Sequence, residues 1–319
     1  MLMKRDSLVS VIIPAYNAEL YIETCMDSLC QQSYWNMQII LIDDGSTDRT
    51  LSICKRLQAA DPRIEVYHQD NAGPAAARNT GLEHVTGDYL MFVDADDVLA
   101  SDAVQVLVER MELSRADMCG FGWYDIQNGE KASCHCYSED ERGAQKNQII
   151  NNVLLDDFLN GGGFLWNKIW RASTIKQDAF QQFDVSLWKY EDKLWVLQNI
   201  VRCNRFLFLN EMFYYYRLLP HSLSHGESTL QSTRAFYHAA NQISAFLNKQ
   251  YPEMRRTARR WSQSYLASML FRAIKEKAVT SDDVQEAKRY RLWQMPFGTK
   301  AKLHWLIAKV ILLLGKRVI

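Results

Sequence analysis

The chain has 319 residues, of which 48% are hydrophobic and 23% are charged, a composition typical of a globular protein. It holds only 14 glycines and 6 prolines, which excludes collagen-like and low-complexity chains. Lysine and arginine (37) balance aspartate and glutamate (37), so the net charge gives no argument for a nucleic-acid partner. The balance conceals an asymmetry, because residues 255–319 carry 15 basic and 4 acidic side chains.

Strand and helix patterns alternate through the first hundred residues. Strands are predicted at 9–14, 38–42, 64–68 and 89–93, and helices at 19–31, 47–60 and 75–84. This alternation favours an α/β fold with a mostly parallel sheet flanked by helices. Further predicted elements are a helix at 101–113, a strand at 118–126, a loop or hairpin at 127–147, helices at 149–160 and 190–202, and strands at 206–209 and 213–217. Only helices follow, at about 228–249, 253–278 and 282–293 and from 299 onward, so we expect an α/β domain at 1–225 and an α-helical, basic C-terminal region at 226–319.

The segment Asp94-Ala95-Asp96 follows the fourth predicted strand. In an extended segment, residues two apart point the same way, so both carboxylates would line one face. Such a pair suits Mg²⁺ or Mn²⁺, which commonly share their coordination with substrate phosphates. The alternative is a polar loop in which Asp97 or Ser101 caps the next helix.

Two further segments lie at predicted strand ends or helix starts. Asp43-Asp44-Gly45-Ser46 follows the second strand, although an Asx turn that closes the strand explains it equally well. The segment from Gly73 to Gly81 places small residues at a helix N-terminus, with Arg78 one turn inside. Helix N-termini attract anions, and arginine donates bidentate hydrogen bonds to phosphate. Close packing of the helix on the sheet is the alternative.

Four segments occur in a fixed order within about 90 residues. They are SVIIPAYN at 10–17, DDGSTD at 43–48, AARNTG at 76–81 and FVDADD at 92–97. Together they resemble the family 2 glycosyltransferases of the GT-A fold. A wider similarity, to bacterial enzymes that build capsule, O-antigen or other surface polysaccharides, extends to about residue 224. The last 95 residues carry no such resemblance.

The resemblance implies a nucleotide-sugar site in residues 1–100, with the acceptor side and the catalytic base in 101–225. Pro14 and Tyr16 would line the pocket for the nucleotide base, and Asp44 would hydrogen-bond that base, most commonly uracil. Arg78 would lie near the diphosphate and Asp94 would contact the ribose. Asp96 would bind a divalent metal, Mn²⁺ or Mg²⁺, that bridges the two phosphates.

The pair Glu191-Asp192 resembles the E-D motif of the family, in which the second carboxylate is the catalytic base. Alone, two acids in the first turn of a helix are explained by the helix dipole. With a donor site upstream, Asp192 would take the proton of the acceptor hydroxyl as it attacks the sugar. A single displacement of this kind inverts the anomeric centre. The alternative function is that of a catalytically inactive nucleotide-sugar-binding or scaffold protein.

Several other residues are candidates for substrate contacts. Lys168, in a W-N-K segment that the family shares, would reach the acceptor or the diphosphate, unless it snorkels between core tryptophans. His221 would be a third metal ligand or a phosphate donor, although a solvated loop histidine is the default. Trp188 and Trp195 flank the base and would stack on a sugar or pack in the core.

The C-terminal segment 299–319 combines an apolar stripe with lysines at seven-residue spacing. This pattern favours a helix lying on an anionic membrane surface, and lipid-linked acceptors are common in the family. A helix packed between the subunits of a homo-oligomer explains the pattern too. No signal-peptide pattern and no disulfide framework occur in the sequence. We therefore expect a cytoplasmic protein, peripheral at the inner face of the membrane.

Overall fold

Two compact units make up the chain in the computed structural model, which describes residues 6–137, 145–155, 162–219 and 229–289. The first unit, the sheet unit, contains residues 6–185 and 191–219 within these ranges. The second, the helical unit, contains 186–190 and 229–289. The predicted domain boundary after residue 225 lies outside the described residues and stays a prediction. Across the described part of the chain, no helix combines the length and apolar character needed to cross a membrane.

The sheet unit contains the strands and the first seven helices. Its strands are β1 Val9–Ala15, β2 Met37–Asp44, β3 Ile64–Gln69, β4 Tyr89–Phe92, β5 Val98–Leu99, β6 Met118–Gln127, β7 Glu130–His135, β8 Lys168–Arg171 and β9 Phe206–Arg217. Its helices are α1 Ile22–Cys30, α2 Thr50–Ala60, α3 Pro74–Glu83, α4 Ala103–Ser114, α5 Lys146–Leu155, α6 Ala172–Ile175 and α7 Glu191–Ile200. The predicted α/β fold is therefore confirmed.

The strands form one sheet in the order β3-β2-β1-β4-β8-β6-β9-β5, with β7 paired to β6. The first four strands of that order are parallel. The apolar runs of β1, β2 and β4 are buried on both faces, as expected inside a parallel sheet, whereas the edge strand β3 is mostly half-buried. Parallel pairing then stops, because β8 runs antiparallel to both β4 and β6. The sheet is thus mixed, with the predicted parallel arrangement confined to β1–β4 and to the β6–β9 pair.

Two local predictions need adjustment. The segments predicted as separate strands at 206–209 and 213–217 form the single strand β9, whose pairing with β6 is irregular around Gly122. A bulge explains this, since it lets a strand continue through residues that interrupt its apolar pattern. The region 127–147 begins as a hairpin between β6 and β7. Its turn, Asn128-Gly129, has both φ angles positive, at 53° and 85°, as a type I′ turn requires.

The helical unit contains α8 Leu230–Gln250, α9 Arg255–Lys275 and α10 Ser281–Arg289, with a short 3₁₀ turn before α9. Thr229 and Ser232 form a capping box that begins α8. A small apolar core packs these helices together; it contains Tyr237, Leu266, Ala267, Met269, Leu270 and Ala287. Three of the four predicted C-terminal helices are therefore present, and the predicted helix from residue 299 lies outside the described residues.

Candidate active site

The carboxyl ends of β1, β2 and β4 meet at one edge of the sheet, as the sequence predicts. Pro14 is half-buried near the end of β1, and Tyr16 just beyond it is 52% exposed. Asn17 ties the loops after β1 and β2 together: its backbone N–H donates to Ser46 Oγ (3.0 Å) and its Oδ1 accepts from the Thr47 N–H (2.9 Å). The Tyr16 ring is thus exposed next to a loop that these hydrogen bonds hold in place.

The carboxylate of Asp44 organises the approach to α3. Its Oδ1 accepts from the Gln69 amide (2.8 Å) and the Ala72 N–H (3.0 Å), and its Oδ2 accepts from the Gly73 N–H (2.8 Å). Asp44 is buried, and these bonds join it to a distant loop in place of a local Asx turn. Its predicted contact with a nucleotide base stays a prediction. Its hydrogen bonds from the backbone of Ala72 and Gly73 hold the segment that leads into α3.

The segment Asp94 to Asp97 is a turn, closed by a 3.1 Å hydrogen bond from the Asp97 N–H to the Asp94 carbonyl. The extended geometry assumed from the sequence is therefore wrong, and strand alternation does not set the directions of the two carboxylates. The carboxylate of Asp97 accepts from the Tyr214 hydroxyl (2.8 Å) and from the Arg217 N–H (2.7 Å). Asp97 is fully buried, and the residue at the N-cap position of α4 is Asp102, so neither Asp97 nor Ser101 caps that helix.

Three neighbouring carboxyl groups make this turn electrostatically crowded. Burial and, after it, the charge of Asp94 raise the pKa of Asp96 to about 6, against the opposing charge of Arg217. Burial, followed by the charges of Asp96 and Asp94, raises the pKa of Asp97 well above its usual range. A bound cation would relieve this repulsion, so the donor set fits a divalent metal that takes its other ligands from phosphate and water.

The described residues contain no group of three or more His, Cys, Asp and Glu side chains arranged around one metal position. His221, the predicted third ligand, lies outside the described residues. The metal site therefore stays a prediction that rests on Asp96 and its neighbour Asp94.

Arg78 joins the acidic turn to the start of α7. It is buried; its Nη1 donates to Glu191 Oε1 (3.1 Å), and its Nη2 lies 3.6 Å from Asp94 Oδ1. Its Nε is buried and has no hydrogen-bond partner among the residues that the structure describes. Arg78 thus brings two motifs together that are about a hundred residues apart in the sequence.

Asp192 lies in the first turn of α7, beside Glu191. The Lys193 N–H donates to its Oδ1 (2.6 Å). Burial raises the pKa of Asp192 to about 7, the charge of Glu191 adds to the shift, and Arg78 counteracts it. A carboxylate with a pKa near neutrality is suited to accept a proton during a reaction.

Lys168 is buried inside the sheet unit. Its side chain is 2% exposed, and its ammonium donates to the carbonyls of Phe164 (2.7 Å) and Gly162 (3.2 Å) and to Asn167 Oδ1 (2.7 Å). Burial lowers the pKa of Lys168 to about 7. The ammonium is therefore held inside the sheet unit and does not snorkel to solvent, and its predicted contact with the acceptor or the diphosphate stays a prediction.

The two tryptophans near the base differ from one another. Trp195 is fully buried, its ring is stacked on Phe183 (5.1 Å between centroids), and its Nε1 donates to the Gln181 carbonyl (2.7 Å). Its predicted stacking on a sugar is therefore wrong. Trp188 is 54% exposed, and its contact with a sugar stays a prediction.

Tyr214 is a site residue that the sequence analysis missed. Its buried hydroxyl donates to Asp97 and accepts from the Asp94 N–H (3.1 Å), and its ring is stacked on Trp166 at 4.6 Å. Tyr214 thus positions both ends of the acidic turn. Its only signal in the sequence is membership of an aromatic strand, which does not distinguish it from Tyr215 or Tyr216.

Comparison with known proteins identifies the family. The family model described as Glycosyl transferase family 2 matches residues 10–164. Uncharacterized glycosyltransferase EpsJ of Bacillus subtilis is 32% identical over 240 residues, which cover 72% of this chain and 70% of EpsJ. Glycosyltransferase GlyA of Streptococcus pneumoniae is 32% identical over 225 residues, which cover 69% of this chain but only 32% of GlyA. The chain therefore belongs to glycosyl transferase family 2.

A solved structure gives the same result for the fold. The crystal structure of S. aureus TarS 1–349 in complex with UDP-GlcNAc matches with a TM-score of 0.62 at 21% identity, covering 94% of this chain and 79% of that one. At this identity the likeness concerns the fold alone. The predicted GT-A-type fold with a helical C-terminal region is confirmed.

Proposed function

We propose that the chain transfers a sugar from a nucleotide-sugar donor to a hydroxyl group of a glycan or lipid-linked acceptor, with inversion at the anomeric carbon. The observation that carries the proposal is the Arg78 bridge, because it places the acidic turn of the donor motif beside Glu191 and Asp192. A single displacement needs one site that stabilises charge on the leaving diphosphate and a general base that accepts the proton of the acceptor hydroxyl. Family membership supports the transferase activity.

Asp192 would act as the general base. Its raised pKa leaves it partly deprotonated near pH 7 and gives it affinity for the proton of an acceptor hydroxyl. Glu191, held by Arg78 (3.1 Å), would orient the start of α7 and contribute negative charge that strengthens the base. Both carboxylates belong to the same turn, so they act as a unit.

Asp96, with Asp94 beside it, would hold the divalent metal, Mn²⁺ or Mg²⁺. When bound, such an ion neutralises charge on the departing diphosphate. Arg78 would add a fixed positive charge beside Asp94, and within the described ranges its buried Nε has no hydrogen-bond partner. His221 stays a proposed third ligand.

A UDP-sugar is the proposed donor. Support comes from the fold likeness to TarS, which was crystallised with UDP-GlcNAc, and from the exposed Tyr16 ring beside Pro14. Pro14, Tyr16 and Asp44 would bind the uracil base, and Asp94 would contact the ribose.

The acceptor is proposed to be part of a surface polysaccharide, assembled at the cytoplasmic face of the membrane. Family resemblance to such enzymes and the basic segment 299–319, which lies outside the described residues, support this placement. The match covers only a third of GlyA, so that protein's activity does not carry over as a whole.

The first test is thermal unfolding with UDP, GDP, dTDP or CMP, each with and without Mn²⁺. A ligand at about 100 times its Kd adds roughly 2.7 kcal/mol to the free energy of unfolding, enough for a shift of a few degrees. We expect a Mn²⁺-dependent shift with UDP that Asp96→Asn abolishes and that Asp27→Asn, on the exposed face of α1, retains. A shift with GDP or dTDP alone would overturn the donor assignment.

Turnover then separates an enzyme from an inactive binding protein. UDP release from UDP-glucose, UDP-galactose, UDP-GlcNAc and UDP-GalNAc is measured with Mn²⁺ present. Release that Asp192→Asn abolishes supports the transferase. Nucleotide binding without release from any donor, in the presence of oligosaccharide and lipid-linked acceptors, would favour the binding-protein alternative.

A further inference from the structure

Two buried lysines of the sheet unit pack against the segment 162–164. Lys168, at the start of β8, is 2% exposed, and Lys193, in the first turn of α7, is 3% exposed. Both lysines and the segment belong to the sheet unit. Lysine is rarely buried to this extent, because its ammonium loses its hydration. Such burial persists only where the surroundings bind the charged group.

The ammonium of Lys168 binds the backbone of this segment. Its Nζ donates to the carbonyls of Phe164 (2.7 Å) and Gly162 (3.2 Å) and to Asn167 Oδ1 (2.7 Å). These three bonds match the number of N–H groups that an ammonium carries. Lys168 thus holds the chain on both sides of Gly163.

Gly163 in turn packs directly on Lys193. A Cβ added at Gly163 would lie 2.8 Å from the Cβ, Cγ and Cε atoms of Lys193, well inside the usual separation of carbon atoms. This close approach requires glycine. The N–H of Lys193 donates to Asp192 Oδ1 (2.6 Å). A continuous chain of contacts therefore runs from Lys168 through Gly163 and Lys193 to Asp192.

The electrostatics agree with this geometry. Burial lowers the pKa of Lys168 to about 7; the negative charge of Asp192 opposes that fall, and the positive charge of Lys193 adds to it. Asp192 therefore lies close enough for its charge to act on Lys168. Because the interaction of two charges is mutual, the protonated Lys168 favours the deprotonated form of Asp192.

We propose that Lys168 is a positioning residue for Asp192. Its ammonium holds the segment 162–164, and Gly163 within that segment fixes Lys193 and with it the first turn of α7. The inference rests on the proposed function, in which Asp192 is the base. This role needs no contact between Lys168 and a substrate, so substitution should lower the rate of the chemical step and leave donor binding unaltered.

The first test removes the ammonium in the full chain. Lys168→Met keeps the length of the side chain and loses its three donors. Lys146→Met is the matched control, because Lys146 Nζ also donates to a carbonyl, that of Val201 (3.1 Å), directly after the other end of α7. We measure kcat and donor KM for UDP release with Mn²⁺, using whichever of UDP-glucose, UDP-galactose, UDP-GlcNAc and UDP-GalNAc the wild type turns over fastest. The thermal shift with UDP is recorded for each variant.

The second test breaks the contact between Gly163 and α7. Gly163→Ala introduces the Cβ that meets Lys193, and Lys193→Gly removes the atoms that it meets. Gly163→Ala is therefore made both in the wild type and in the Lys193→Gly background, as a double-mutant cycle.

We expect Lys168→Met and Gly163→Ala each to lower kcat about 30-fold, since misplacing a reacting group by a fraction of an ångström has effects of this size. Donor KM should stay within twofold of the wild type and the UDP shift within a degree. Lys146→Met should leave kcat within twofold. In the Lys193→Gly background, Gly163→Ala should lower kcat by less than threefold.

Three results would overturn the inference. One is a wild-type kcat in Lys168→Met. Another is a raised KM at constant kcat, or a lost UDP shift, in that variant, which would assign Lys168 to substrate contact. The third is an equal effect of Gly163→Ala in both backgrounds, and this cycle decides the matter if Lys168→Met does not fold.

Asp192→Asn, measured in parallel, separates this inference from the proposed function. Wild-type turnover by Asp192→Asn would refute the proposed base, and no positioning role would then remain. An inactive Asp192→Asn beside fully active Lys168 and Gly163 variants would refute the positioning role alone.

Discussion

Two acidic turns meet at Arg78, and their chemistry differs although their residues are alike. In both, burial is the largest cause of a raised pKa, to about 6 for Asp96 and to about 7 for Asp192. The turn after β4 adds two more carboxyl groups, those of Asp94 and Asp97. The turn at α7 has one neighbouring carboxylate, that of Glu191, which is already bonded to Arg78.

The comparison shows how the environment separates two roles for one residue type. Around Asp96, a multivalent cation would best offset the electrostatic repulsion among three neighbouring carboxyl groups. Beside Asp192 there is one neighbouring carboxylate, that of Glu191, and it is hydrogen-bonded to Arg78, so a single proton is what the site gains or loses. The first arrangement suits a metal and a diphosphate, and the second suits a base.

The largest expected effect is on the proposed base. Asp192→Asn keeps the shape of the side chain and removes its ability to accept a proton, so we expect kcat to fall by about 10³-fold. Donor binding should persist, which a UDP thermal shift within a degree of the wild-type shift would show. An active Asp192→Asn variant would contradict the assignment of a base to the turn at α7 and of a metal site to the turn after β4.

A smaller loss is expected at the metal-binding turn. Asp96→Asn should lower activity by about 10²-fold at a fixed Mn²⁺ concentration, because charge on the leaving diphosphate is less well stabilised. Unlike Asp192→Asn, it should also abolish the Mn²⁺-dependent part of the UDP thermal shift. A variant that lost activity with its Mn²⁺ response intact would contradict the metal role of Asp96.

The pH dependence of kcat should report the titration of Asp192, in the first turn of α7. Because Asp192 must be deprotonated to act, and its pKa is raised to about 7, kcat should be maximal above that pH. It should fall about tenfold for each pH unit below it. A profile that is flat from pH 5 to pH 8 would exclude Asp192 as the base.

The smallest effect is on stability, and its sign is opposite to the effect on activity. A raised pKa means that the folded chain binds more protons than the unfolded chain between about pH 4 and pH 7, so this group lowers stability as the pH rises through that window. At pH 8, Asp192→Asn should therefore increase the free energy of unfolding by about 2 kcal/mol. At pH 4 the gain should vanish, and Asp27→Asn should show none at either pH. Urea denaturation at the two pH values measures the difference.

The sequence alone determined the local elements of the sheet unit and the position of the donor-side motifs. Short continuous apolar runs predict the strands β1 to β4, because a strand inside a parallel sheet is buried on both faces. The segments with helical spacing between these runs predict the helices. Turn residues at the ends of those runs predict where polar side chains gather. The motif at 92–97 could be found in this way, and so could the pair Glu191-Asp192.

Only the tertiary structure decided how these motifs are held. Long-range pairs such as Arg78 with Glu191, or Tyr214 with Asp97, leave no periodic signal, since each partner lies in a segment whose local pattern is satisfied without the other. Folding also buries the Lys168 ammonium among carbonyl groups, although the sequence left open whether this side chain snorkels to solvent. The direction of a side chain and the pKa of a carboxyl group depend on neighbours brought together by folding, and spacing along the chain does not contain that information.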